Sequence, residues 1–143
     1  MPSTEPERTL LFRGAGFELR YPESYETEII EDIPAFFDPM GGGVLQVATV
    51  VTEKIPPDLE AEMKKYLTGM KIEYEPEKIA EYNHPAGRCL ACEFTKDERF
   101  WLINMIGSDK KVFIVLYNAD EIPDGDTVGI VLGMIGSIRM VDL

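Results

Sequence analysis

Two cysteines, one histidine and one tryptophan are all that this chain of 143 residues holds of those three types. Two cysteines build no disulfide framework. A single histidine, His84, and a single C-x-x-C leave too few ligands for a zinc set of the usual spacing. Basic residues are also scarce, with 14 Lys and Arg against 26 Asp and Glu and a formal net charge of −12. A surface this acidic repels phosphate, so no nucleic-acid partner is expected. The longest uncharged apolar stretch, Thr127 to Ile138, falls short of the about 20 residues that cross a bilayer, so no membrane insertion is expected. The opening Met1-Pro2-Ser3-Thr4-Glu5-Pro6-Glu7 has no apolar run behind a basic stretch, which reads as no secretory signal and a cytoplasmic location. G-x-S-x-G, H-E-x-x-H and G-x-G-x-x-G do not occur. No catalytic residue, metal ligand or cofactor site is therefore assigned, and the chain is expected not to be an enzyme.

The remainder is ordinary globular material, 45% apolar and 28% charged. It reads as a single domain over residues 1–143, with 1–8 as a flexible tail. Leu10-Leu11-Phe12 and the alternating Phe17-Glu18-Leu19-Arg20-Tyr21 read as strands, followed by short ones at Glu28-Ile29-Ile30 and Ala35-Phe36-Phe37 and a stronger one from Val44 to Val51. Pro56-Pro57-Asp58 opens a helix whose apolar stripe is Leu59, Met63, Tyr66, Leu67 and Met70, with Glu60 and Lys64 four apart on its outer side. Strands at Ile79–Tyr82, Arg88–Thr95, Phe100–Ile106 and Val112–Tyr117 are separated by short polar turns, the mark of an antiparallel meander. Asp126 then caps a last helix, Thr127 to Ile138. Strands segregated from helices predict α+β: a central, mainly antiparallel sheet flanked by two main helices.

Several residues invite chemistry. Cys89-Leu90-Ala91-Cys92 matches C-x-x-C but lies within a strand. Strand residues three apart point to opposite faces about 10 Å apart, and a disulfide needs alpha carbons within roughly 7 Å. Two free, buried thiols are expected. His84 precedes Pro85 and reads as a solvent-exposed turn residue. Gly41-Gly42-Gly43 leads into a strand, so it is a turn and no phosphate cradle. Asp120, Glu121, Asp124 and Asp126 miss the calcium-loop pattern, with Ile122 third and Val131 twelfth, and read as a solvated loop. Glu23, Glu26, Glu28, Glu31 and Asp32 form an acidic run suited to guarding a sheet edge or docking a basic partner. In the last helix Val128, Val131, Leu132 and Ile135 are assigned to the sheet, while Gly129, Gly133 and Gly136 form a stripe suited to close packing. Ile130 and Met134 are left facing out and needing cover. The candidate interaction residues are thus Ile130, Met134, Glu26, Glu28, Glu31 and Asp32. Trp101, in a strand apolar on both faces, is expected buried with its indole N–H bonded.

In order along the chain, these features resemble the superfamily that joins PsbP, the extrinsic photosystem II subunit, with DcrB-like bacterial proteins and Ran-binding nuclear import factors. Phe17 to Pro22 followed by Tyr25 is similar to its opening strand. Asn83 to Gly87 resembles its G-x-P-A hairpin without the leading glycine, and Trp101, Tyr117 and Ile135-Gly136-Ser137-Ile138 fit the strands and helix end that follow. The resemblance implies an αβα sandwich and a non-catalytic binder, adaptor or chaperone-like protein. The partner expected is another protein or, as the simplest cover for Ile130 and Met134, a second copy of the chain. A small-molecule carrier or minor enzyme with a pocket between sheet and helix, and a self-assembling structural subunit, are the alternatives.

Overall fold

The computed structural model describes residues 8–14 and 16–141; the tail expected over 1–8 lies, apart from Arg8, outside the described residues. In chain order the elements are β1 (Thr9–Arg13), β2 (Phe17–Pro22), β3 (Glu26–Ile30), β4 (Ile33–Phe37), β5 (Val44–Val51), α1 (Leu59–Gly69), β6 (Ala80–His84), β7 (Gly87–Lys96), β8 (Arg99–Ser108), β9 (Lys111–Ala119), α2 (Gly125–Gly136) and β10 (Arg139–Met140). A 3-10 turn at Pro76–Lys78 precedes β6. Seven strands form one sheet in the order β3-β4-β5-β9-β8-β7-β6, with every neighbouring pair antiparallel. A small second sheet has the order β1-β2-β10.

Tight turns set the register. Ile30 pairs with Ile33 across Glu31-Asp32, and Lys96 with Arg99 across Asp97-Glu98. All four turn residues have positive φ, between 50° and 67°. That handedness suits the right-handed twist of paired strands. Gly87 opens β7 at φ 156°, and a β-carbon there would stand 2.0 Å from the Gly107 carbonyl oxygen.

The large sheet is the middle layer. On one face, Leu59, Met63 and Leu67 of α1 pack on Leu90, Cys92, Ile103, Met105 and Val112. On the other, Val131, Met134 and Ile135 of α2, together with Phe17 and Leu19 of the small sheet, pack on Phe36, Leu45, Val47, Phe113, Val115 and Tyr117. The α+β sandwich expected from the sequence is therefore the architecture observed, with the small sheet sharing one outer layer with α2. Asp58 caps α1 by accepting from the Ala61 N–H at 3.1 Å.

The structure corrects several local readings. Asp124, not Asp126, caps α2, accepting from the Thr127 N–H at 2.8 Å. Met134 faces inward at 2% exposure, while Leu132 (53%) and Val128 (37%) face out. Two overlapping helical stripes share Val131 and Ile135; tertiary contacts choose the one that continues into buried Ile138. The Ser137 hydroxyl, accepting from the Arg20 N–H at 2.8 Å, fixes that rotation. Ile130 is half-buried against the same core, so neither it nor Met134 lies uncovered. No described atom lies within 4 Å of where a β-carbon would stand on Gly129, Gly133 or Gly136, so this stripe serves no close packing.

His84 and Trp101 are the other corrections. His84 is buried at 7% exposure because the end of α2 settles on the β6–β7 hairpin. Its Nε2–H donates to the Ile135 carbonyl at 2.8 Å, and Nδ1 accepts from the Ala86 N–H at 2.9 Å. Trp101 is half-buried because α1 covers the Ile103–Met105 part of β8 and stops short of it. Its indole N–H does find a partner, the Lys96 carbonyl at 3.2 Å, and its ring stacks on Phe94.

With both ring nitrogens engaged, His84 is held neutral, and burial lowers its pKa below the ordinary 6.5. A histidine with a depressed folded pKa stabilises the fold above the unfolded value and loses that contribution as pH falls through it. Stability should therefore decline on acidification below about pH 6.5. In His84→Gln the part of that decline due to this residue should vanish, as read from urea midpoints across pH 5 to 8. An unchanged pH profile in the variant would remove His84 from the account.

Candidate functional site

The two cysteines fall on opposite faces of β7. Cys89 joins the α2-side core and Cys92 the α1-side core, and both are free. Burial pushes each thiol up to about 11, so neither is a thiolate at neutral pH. Beside Cys89, the Tyr82 hydroxyl donates to Asn104 Oδ1 at 2.5 Å, and burial raises the phenol's pKa. This cluster keeps Asn104 satisfied at 2% exposure. Among the described residues no group of three or more His, Cys, Asp or Glu side chains is arranged to hold a metal ion. The Gly41-Gly42-Gly43 segment is a turn, and the Asp120–Asp126 segment is a loop ending in the α2 cap. Glu60 bonds to Arg88, which also bonds to Glu81, so the α1 surface is tied to the β6–β7 hairpin. That contact to Arg88 holds the Glu60 carboxyl below its ordinary range.

Two open features remain on the α1 side. Opposed residues of an antiparallel pair share a face, so the face of Val112 continues through Ile114 and Leu116 on β9 to Val50, Ala48, Gln46 and Val44 on β5 and Phe37 on β4. All of these but Val112 are half-buried. α1 sits over β7 and β8, and Ile114 and Leu116 pack against the border of the core it forms there. A groove of about 470 Å³ runs where this face meets α1, lined by Val50, Ile114, Tyr66, Gly69, Met70, Glu62 and Lys65. Glu26 and Glu28 of the edge strand β3 point to the same side, opposite Phe37 and Ala35. Glu31 and Asp32 form the β3–β4 turn. The acidic run thus lies on a sheet edge, at the far rim of the apolar face.

The second feature is at the opposite edge. β6 runs out at Ala80, opposite Ala91, whereas β7 continues to Lys96 along β8. Beside that remainder lies a groove of about 450 Å³ lined by Leu67, Ile72, Ile79, Phe94, Glu73, Glu75 and Lys78. The sequence reading missed it. The signal was the unequal length of the two strands expected on either side of the Asn83–Gly87 turn.

No protein-family model and no curated protein matches the sequence. Solved structures do match in shape. Cyanobacterial PsbP (CyanoP) from Synechocystis sp. PCC 6803, in a solution structure, aligns with a TM-score of 0.66 at 14% identity, covering 99% of this chain and 97% of that one. A crystal structure from Bacteroides thetaiotaomicron VPI-5482 aligns with a TM-score of 0.66 at 13% identity and 95% coverage of this chain. This chain spans about half of that protein, 49% of its length. The fold is thus PsbP-like, as the resemblance in sequence implied.

Proposed function

We propose that this protein is a non-catalytic binding module that docks another protein on the α1 side of its sheet. One observation carries the reading: an apolar groove of about 470 Å³ opens where Val50 and Ile114 of the sheet meet Tyr66 and Met70 of α1. Apolar surface gathered in one place marks an interaction site more often than chance exposure does. The PsbP-like fold and the high, perturbed thiol pKa values of buried Cys89 and Cys92 agree with a role without nucleophilic chemistry. A net charge of −12 disfavours self-association and favours a partner with basic residues around an apolar patch. The cytoplasm is the compartment proposed for it.

Photo-crosslinking tests this. A benzophenone side chain at position 66, on the groove wall, should give one discrete heterologous adduct in cells, and the same group at position 132, on the far side of the sheet, should not. No adduct from position 66, equal adducts from both, or an adduct of dimer mass alone would overturn the proposal.

A further inference from the structure

The outer edge of β7 has a readable hydrogen-bond parity. Two-residue turns join β6 to β7 and β7 to β8, so His84–Gly87 and Lys96–Arg99 are the closing pairs that exchange main-chain bonds. Bonding positions alternate from there. Residues 96, 94 and 92 direct their N–H and C=O to β8, and 87, 89 and 91 direct theirs to β6. By the same alternation Glu93 and Thr95 direct theirs outward, beyond the point where β6 ends. Both are exposed. Four main-chain groups therefore stand at strand spacing along an open groove.

We infer that this edge accepts an extended peptide as an added strand, and that the peptide alternates basic and apolar residues. The alternation follows from the two faces of β7. A side chain opposite Phe94 enters the groove between Ile72, Ile79 and Phe94. A side chain opposite Glu93 shares the other face with that carboxylate, where a lysine or arginine forms the favourable cross-strand pair. Glu73 and Glu75 line the groove, and Lys78 is already paired with Glu75 at 2.6 Å. Lys96 is turned away, its ammonium donating to the Met70 carbonyl. A second copy of the chain is a poor occupant, because pairing this edge with itself sets acids against acids. Strand addition draws affinity from main-chain bonds and specificity from alternate side-chain pockets. The inference concerns an edge separate from the sheet face proposed above and stands or falls independently of it.

The test uses a fluorescent heptapeptide, Lys-Val-Lys-Phe-Lys-Val-Lys, and its all-Glu counterpart. Binding of the basic peptide, absence of binding by the acidic one, and slowed amide exchange at Glu93 and Thr95 are expected. N-methylation of the peptide's bonding amides keeps charge and side chains, and should weaken binding about tenfold or more. Thr95→Pro removes the outward N–H without touching the β8 ladder and should weaken binding similarly; Glu93→Lys, on an exposed side chain, is the variant that keeps the fold safest and should also weaken it. No binding, or binding that ignores N-methylation and leaves the Thr95 amide exchange unchanged, would overturn the inference. The cross-link from position 66 is unaffected by either result.

Discussion

Gly87→Ala should lower stability by about 4 kcal/mol or more, the range reached only by overpacking, strain or a lost network. A β-carbon at this position stands 2.0 Å from the Gly107 carbonyl oxygen, and the obstacle is main chain of the neighbouring strand. Rotation of a side chain cannot relieve it. The φ of 156° adds strain for any L-residue. Relief requires β7 to move away from β8, which breaks the best-paired part of the sheet. Domains of this kind are stable by roughly 5–15 kcal/mol, so the variant should approach the limit of folding. At roughly 3–4 °C per kcal/mol the melting temperature should fall by about 12 °C or more. Gly129→Ala is the matched control, since nothing lies within 4 Å of its added β-carbon. It should stabilise by about 0.5–1 kcal/mol through helix propensity. A Gly87→Ala melting point within a few degrees of wild type would refute the close approach of these strands.

Phe36→Ala should cost about 3–5 kcal/mol. Phe36 has no exposed surface and stands where the two sheets meet. Its ring meets Phe12 of β1 edge-on, centroids 5.1 Å apart, and Tyr21 of β2 at 5.4 Å. Removing it leaves a cavity between layers and removes the aromatic contacts that seat the small sheet. Phe36→Leu retains most of the volume and should cost less than half as much. Guanidinium midpoints for the pair measure this; equal losses would show that ring volume is not what seats the small sheet.

The meander from β6 to β9 was legible because each turn is short and polar and each strand alternates. α1 was legible from Asp58 and a single apolar stripe. α2 was harder: its sequence carries two stripes sharing Val131 and Ile135, and only contact with β2 and Ile138 chooses between them. β10 spans two residues, Arg139 and Met140, too few for any periodicity to register. His84 looked like an exposed turn residue because nothing local reveals that a helix end from 51 residues away comes down on it. The acidic edge at Glu26 and Glu28 could be read because charge on a short strand has one common use. The open faces could not, because an alternating strand does not state whether a helix covers it. Where the groove beside α1 opens depends on where an 11-residue helix lies on a seven-stranded surface.

The bond from Arg20 to Ser137 spans 117 residues, whereas the meander pairs neighbours across turns of two. Chain closure over such a span carries a larger entropy loss than closure of a hairpin. The meander and the two-residue β3–β4 hairpin can therefore form while the ends are still far apart. On the same ground β10 should join β2 late, once α2 lies on the sheet. Unfolding from the native side should run in the reverse sense, with the small sheet and the end of α2 releasing as one unit ahead of the four-strand meander. In that partly opened form Phe17, Leu19 and Ile138 lose their cover while the α1 side keeps its structure.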